Sequence, residues 1–277
     1  MDCKDHFITK EVFTIQKCHA CGFCFTSPRP EEREIGPYYA SDAYVSHSNT
    51  EKGLVNKLFH ISRKYTINHK KYLVKKYSGG NTILDYGCGS GEFLHAMSDA
   101  GWNCYGIEPN DKARSLAALN TSIKIGRESM LEEIAGSSLQ AITLWHVLEH
   151  IYPIHERLKT FHRLLDKKGM LFVALPNMLA SDAKRYGPHW AAWDVPRHIH
   201  HFSPETITKL MEGNGFVLVA TLPMLLDAFY ISMLSEKYKT GRSNFPLAMI
   251  RGLQSNLKAF FGHGHYSSLI YIFKKSD

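Results

Sequence analysis

The 277-residue chain lacks any uninterrupted apolar run long enough to cross a bilayer. Its greasiest stretch, Leu222 to Leu234, is broken by Pro223 and Asp227 and falls short of the about 20 residues a spanning helix needs. The first residues, MDCKDHFITK, lack the basic-then-apolar pattern of a secretory signal. A cytoplasmic protein with no membrane partner is therefore expected. There is no internal repeat and no low-complexity tract, so nothing suggests disorder or a fibre. Cysteine is scarce, and four of the six, Cys3, Cys18, Cys21 and Cys24, crowd into the first 24 residues. In a cytosolic chain such crowding argues for a metal or for an inherited remnant, and not for disulfides.

What is present is an ordinary globular composition, 44% hydrophobic and 21% charged. Much of the +7 net charge lies between Lys52 and Lys76. Apolar Leu58, Ile61, Tyr65, Tyr72 and Leu73 recur there at roughly helical spacing, which reads as an amphipathic helix with a solvated basic face. A footprint for an anionic substrate or RNA is the alternative. Three regions follow: a Cys-rich head over 1–50, a basic linker helix over 51–80 ending at Ser78-Gly79-Gly80, and a large domain over 81–277. In that domain Ile83-Leu84, Cys104–Ile107, Ile123–Ile125, Leu139–Trp145 and Met170–Leu175 read as strands separated by helices. Alternation of this kind implies βαβ units. Ser203-Pro204 opens a further helix, and Phe216–Leu222 and Ser267–Phe273 complete seven strands. The fold class expected is α/β, a doubly wound and mostly parallel sheet of Rossmann-like type. A helical insert at 225–262 precedes the last strand.

The informative segment is LDYGCGSGEFL. A buried strand ends at Asp85, and Gly87, Gly89 and Gly91 follow before a helix begins. Glycines there let the backbone turn tightly and approach a ligand over the carboxyl ends of the strands. A dinucleotide fingerprint requires G-x-G-x-x-G with pyrophosphate on the helix N-terminus. Here the third glycine comes one position early, and Glu92 at the helix mouth would repel a pyrophosphate. Asp85 suits the opposite kind of ligand, a cationic nucleoside such as S-adenosylmethionine, whose ammonium and sulfonium favour a nearby acid. Glu108 closes the second strand seventeen positions after Gly91, where an acid can accept hydrogen bonds from ribose hydroxyls.

LDYGCGSGEFL, GIEPN, ITLWHVLEHI and LFVALPN, in that order, resemble the motifs of class I S-adenosylmethionine-dependent methyltransferases, most closely the ubiquinone-biosynthesis O-methyltransferase group. The resemblance spans roughly residues 80 to 220. It implies that Asp85, Tyr86, Gly87, Cys88 and Gly89 line the methionine end of the cofactor. It further implies that Glu108 holds the ribose, Pro109 flanks the adenine, and Trp145 and His146 close over the sulfonium. The stretch KCHACGFCFTSPRP resembles the N-terminal extension of some bacterial sugar C-methyltransferases, in which paired cysteines hold zinc. That resemblance suggests a structural zinc on Cys3, His6, Cys18 and Cys21, with His6 standing where a cysteine would be usual, while Cys24 merely packs. Tyr38, Tyr39, Tyr44 and His47 would either fold over the cofactor or pack at a domain interface.

Methyl transfer from a sulfonium needs an aligned acceptor and, where the acceptor carries a proton, a base. Histidines titrate near neutrality, and two clusters lie where the strands point. One is His146, Glu149 and His150. The other is the loop from Gly187 to His201, with Asp194, Arg197, His198, His200 and His201. The catalytic set expected is His198 as base, Asp194 to orient it, and His150. Arg197 is a candidate to bind an acidic acceptor. A metal on His198, His200, His201 and Asp194 is the lesser alternative. The expected partner is a small-molecule methyl acceptor at an O or C atom. RNA or protein methylation through the basic helix, and a non-catalytic S-adenosylmethionine-binding adaptor, are the rival readings. The insert would serve as a lid or as a homodimer surface.

Overall fold

A computed structural model describes residues 1–39, 54–119 and 123–276. Three short antiparallel strands open the chain: β1 (Asp2–Lys4), β2 (Val12–Lys17) and β3 (Cys24–Ser27). Helix α1 (Leu54–Tyr77) leads into β4 (Thr82–Tyr86), α2 (Glu92–Ser98), β5 (Asn103–Ile107), α3 (Asp111–Leu119) and β6 (Lys124–Gly126). Then come β7 (Leu139–Trp145), α4 (Ile154–Leu164), β8 (Leu165–Pro176), α5 (Ser181–Tyr186), β9 (His200–His201) and α6 (Pro204–Glu212). Strand β10 (Phe216–Pro223), helices α7 (Asp227–Thr240) and α8 (Phe245–Phe261), and strand β11 (Ser268–Lys275) end the fold.

The main sheet has seven strands in the order β6-β5-β4-β7-β8-β11-β10. Strands β4 to β8 pair in parallel, and β11 runs antiparallel to both β8 and β10. Strand order reverses between β4 and β7, the switch point where open α/β sheets form a crevice at the carboxyl ends. The two-residue pleat explains why both faces are apolar. Leu171, Val173 and Leu175 of β8 face Leu158 and Phe161 of α4 and Met211 of α6. Their neighbours Phe172 and Ala174 face Val74 of α1 and Leu94 and Met97 of α2.

Two departures from the sequence pattern matter. Strand β8 reaches back to Leu165 through a register shift opposite Leu139 and Ala141, where periodicity alone began the strand at Met170. On α1 the stripe Ile61, Tyr65 and Tyr72 is exposed, whereas Leu73 and Val74 are buried and Lys70 and Tyr77 half-buried. Burial thus follows positions 70, 73, 74 and 77. The linker helix lies against α2, with Arg63 Nη2 2.5 Å from Glu92 Oε1, and carries a lysine on its inward stripe.

The head does not close on itself. Its sheet takes a fourth strand from the histidine-rich loop, as β9 pairs with β3 at Cys24 with His201 and Phe25 with His200. A buried guanidinium fixes the junction. Arg197, 1% exposed, donates to Asp194 through Nε and Nη2 at 2.9 and 2.6 Å, to Asp5 Oδ1 at 3.0 Å and to the Tyr38 carbonyl at 3.0 Å. Burial pushes the Asp5 carboxyl up, but the Thr9 N–H and Arg197 outweigh it and hold it at about 2. Asp5 therefore contributes stability at pH values above its unfolded value of 3.8, and that contribution is lost as pH falls through about 2. Arg197→Met strands the buried Asp5 carboxylate, together with the partly exposed Asp194, and should cost about 3–5 kcal/mol in urea denaturation at pH 7. The gap to wild type should narrow between pH 4 and pH 2; a gap that stays constant would remove this account.

Candidate functional site

The carboxyl ends of β4 and β5 form the first half of the site. Gly87, Gly89 and Gly91 all adopt positive φ (77°, 55° and 78°), a left-handed turn that side chains resist. The N–H groups of Gly87 and Cys88 both donate to Ile107 O at 2.8 and 3.0 Å, which locks the turn against β5. A Cβ on Gly87 would lie 2.5 Å from Val147 Cγ2, whereas one on Gly89 would meet nothing within 4 Å. The turn is packed from below and open above Gly89. Glu108 flanks the opening, with Oε2 accepting from Gly89 N–H at 2.8 Å and Oε1 from Asn110 N–H at 2.9 Å. Each carboxylate oxygen keeps a further lone pair for a ligand donor. Asp85 is 2% exposed and accepts from Thr143 Oγ1 at 2.6 Å. Burial, helped by Glu108, lifts its carboxyl to about 7 against the pull of Thr143 and Lys70. Lys70 of α1 stands over the Trp145 ring at 4.6 Å, within electrostatic reach of Asp85 and Asp227; burial lowers its ammonium.

The second half follows β7. His146 takes a left-handed φ of 59°, and its Nε2 lies 3.0 Å from Asp227 Oδ2, its Nδ1 3.6 Å from Glu149 Oε1. Burial pulls the imidazolium down, but the Asp227 hydrogen bond and Glu149 outweigh it and raise it to about 9. His146 is thus a cation at neutral pH. Glu149 is 1% exposed, and neither of its oxygens has a hydrogen-bond partner among the described residues. Burial pushes its carboxyl up, yet His146, His198 and His150 hold it below the usual range. His198 Nδ1 donates to Ala192 O at 2.9 Å, which leaves Nε2 bare, 3.8 Å from Glu149 and 4.0 Å from Asp194. The His150 ring lies edge-on to His198 at 4.6 Å, with Nδ1 2.9 Å from both Arg197 O and the Tyr39 hydroxyl. Burial and the neighbouring His198 lower His150 to about 4. Ligand atoms of Glu149, His150 and His198 lie within 4.8 Å of one another, close enough to share one divalent cation. Both histidines are oriented through Nδ1 by backbone carbonyls, as metal-binding imidazoles commonly are.

The profile of a methyltransferase-domain family matches residues 59–221. The chain belongs to that family. Among relatives of this methyltransferase-domain protein, the human mitochondrial ubiquinone biosynthesis O-methyltransferase is 26% identical over 54% of this chain and 45% of that one. The enzyme of the same name from Actinobacillus pleuropneumoniae is 30% identical over 60% of this chain and 77% of that one. Against the human protein and the Pseudomonas paraeruginosa relative, the match spans only about half of their length (45% and 57%). Among solved structures, a SAM-dependent methyltransferase from Archaeoglobus fulgidus matches with a TM-score of 0.52 at 19% identity, over 77% of this chain and 94% of that one. Magnesium protoporphyrin IX methyltransferase from Synechocystis matches with a TM-score of 0.53 at 15% identity, over 86% and 97%. These structures share the fold, a class I methyltransferase sheet.

Within this methyltransferase-domain chain, several expected residues sit differently from the sequence reading. The Tyr86 side chain points into the core against Phe161 and donates its hydroxyl to Glu128, so it does not line the cleft. Cys88 packs its thiol beside Gly106, Phe93 and Leu94. Pro109 is exposed at the end of β5. The four expected zinc ligands do not gather: Cys3 is buried in the head's core and His6 stacks on Tyr238 at 4.5 Å, while Cys18 and Cys21 sit in the β2–β3 turn. Among the described residues, Glu149, His150 and His198 are the only group with metal-ligand spacing. Asp194 binds Arg197 bidentately and is not the nearest orienting partner of His198. Arg197 is 1% exposed and already held by Asp194, Asp5 and the Tyr38 carbonyl, so it is closed to an acceptor. His200 and His201 are tied to Ile151 O and Thr26 Oγ1 and serve the head junction. Tyr44 and His47 lie outside the described residues. Sequence reading missed Lys70, whose signal was a lysine in the inward 70-73-74-77 stripe, and Asp227, whose signal was an acid interrupting an apolar run.

Because the fold favours protonated Asp85, stability present below its unfolded value of 3.8 is lost as pH rises to about 7. Asp85→Asn keeps the Thr143 contact without the charge. Its thermal midpoint should exceed that of the ligand-free wild type at pH 8 and converge with it near pH 4. A variant less stable than wild type at pH 8 would overturn the assignment.

Proposed function

We propose that this protein is an S-adenosylmethionine-dependent methyltransferase that transfers a methyl group to an O or C atom of a small-molecule acceptor. The observation that carries the reading is the meeting of two unlike half-sites at one switch point. An acid-flanked glycine turn, open above Gly89, suits a cationic nucleoside. Beside it stands a histidine cluster around a buried, unbonded carboxylate. The relatives named as ubiquinone biosynthesis O-methyltransferases support an oxygen acceptor.

The cofactor would supply the methyl group and its own leaving group, so the chain's residues align and deprotonate. Glu108 would take the ribose hydroxyls, and Asp85 would face the ammonium end. Lys70, near Asp85 and half-buried, is suited to the cofactor's carboxylate. His198 is the base: its Nδ1–H is fixed on Ala192 O, its Nε2 lone pair is free, and Glu149 would stabilise the imidazolium formed when it takes a proton. Protonated His146 would stabilise an acceptor oxyanion instead of accepting a proton. A divalent cation on Glu149, His150 and His198 is the second reading, in which the ion polarises the acceptor oxygen.

Isothermal titration with S-adenosylhomocysteine should show binding to the wild type and much weaker binding to Glu108→Ala; no binding by the wild type removes the proposal. His198→Ala should lower turnover of a phenolic acceptor panel by roughly 10²–10⁴-fold while leaving S-adenosylhomocysteine affinity unchanged. Unchanged turnover would place the base elsewhere. Activity abolished by chelation and restored by magnesium or zinc would favour the metal reading.

A further inference from the structure

Helix α8 is amphipathic in the inverted sense. The residues it turns inward are small: Ala248, Gly252, Ser255 and Ala259 are all buried. Close packing requires this, since a Cβ on Gly252 would lie 2.8 Å from Phe229 Cα on α7. Ser255 also donates to the buried Asp182 carboxylate at 3.2 Å, which holds α8 in a fixed rotation about its axis. The outward face carries the large side chains. Ile250, Leu253, Leu257, Phe260 and Phe261 are 53, 51, 46, 70 and 81% exposed. Their spacing of three and four puts them on one stripe. An ordinary surface helix has the reverse arrangement, and a contiguous exposed stripe of this kind marks a docking surface.

The charge around the stripe indicates what it docks against. From residue 237 to 263 the chain carries Lys237, Lys239, Arg242, Arg251 and Lys258 and no aspartate or glutamate. Arg251 and Arg185 both reach Gln254, at 3.0 and 3.5 Å, and so line one flank of the stripe. A second copy laid on the stripe would bring Arg251 and Lys258 of one α8 toward those of the other, and α8 carries no acid to answer them. We propose that α8 lies flat on an anionic lipid surface, with Phe260 and Phe261 inserted at the headgroup boundary and the flanking cations on acidic headgroups. No described helix is long and apolar enough to cross a membrane. This inference does not depend on which acceptor is methylated.

The test is co-sedimentation of the full chain with phosphatidylcholine vesicles containing or lacking 30% phosphatidylglycerol. The wild type should partition to the anionic vesicles. Phe260→Ala/Phe261→Ala should reduce that partition at least tenfold with an unchanged thermal midpoint, because both side chains are exposed. Arg251→Ser and Lys258→Ser should each reduce it about fivefold. A wild type that ignores both vesicle types, or a double variant that binds like wild type, overturns the proposal. So does sedimentation showing a wild-type dimer that the double variant dissolves, since a second copy would then cover the stripe.

Discussion

The arrangement of the site depends on one buried cation. Arg197 joins Asp194 in its own loop to Asp5 and the Tyr38 carbonyl in the head, and its carbonyl meets His150. A guanidinium taken out of water is tolerated only where its donors are met, and here the two carboxylates and the carbonyl meet them. The loop is thereby pressed onto the head with His198 one residue from the anchor. The His198 ring can settle on Ala192 O because the chain from 191 to 198 is pinned at both ends. Ala191 N–H donates to Ser235 Oγ on α7, and Arg197 holds the other end.

Around this frame the chain keeps an unusual electrostatic balance. Glu149 is buried without a hydrogen bond, a state that costs several kcal/mol unless nearby charge offsets it. The offset comes from His146, itself held protonated by Asp227 from the insert. Two carboxylates, Glu149 and Asp227, thus share a single protonated imidazole. The surplus negative charge leaves the pocket receptive to a proton or a cation. On the other side of the switch point the Asp85 carboxyl is lifted to about 7, so it is partly protonated at neutral pH, for the opposite reason: burial outweighs the Thr143 hydrogen bond and the half-buried Lys70. Neighbouring acids in one cleft are driven in opposite directions by their surroundings.

How much of this was legible in the sequence varies with the physical origin of each feature. The sheet was, because alternating apolar strands and caps such as Ser203 are local signals; its side chain does accept from Thr206 N–H as the Ser-Pro start implies. The glycine turn and Glu108 were legible because their spacing is set by backbone geometry. The head's fourth strand was not, since two residues, His200 and His201, pair across a separation of about 175 positions that no local pattern encodes. Tyr86 was misread because the pleat sends its side chain to the face opposite its strand neighbour Asp85, into the core against Phe161. The tetrad Cys3, His6, Cys18 and Cys21 failed for a related reason: β1, at the edge of the head sheet, turns Cys3 into the hydrophobic cluster with Phe13 and Ile15, away from the turn that holds the other pair. Lys70 was masked by its company, as one lysine among many on a basic helix looks solvated until its neighbours Leu73 and Val74 are known to face inward.

The pairing of β3 with β9 bears on how such a chain can diversify. Were the head an autonomous appendage, recombination could exchange it freely among proteins that share the sheet. Because the loop carrying His198 donates a strand to it and an arginine to its aspartate, a transplanted head would leave that loop with an unpaired edge and a stranded cation. Head and loop are therefore one structural unit, in which a change to either half has to be matched in the other.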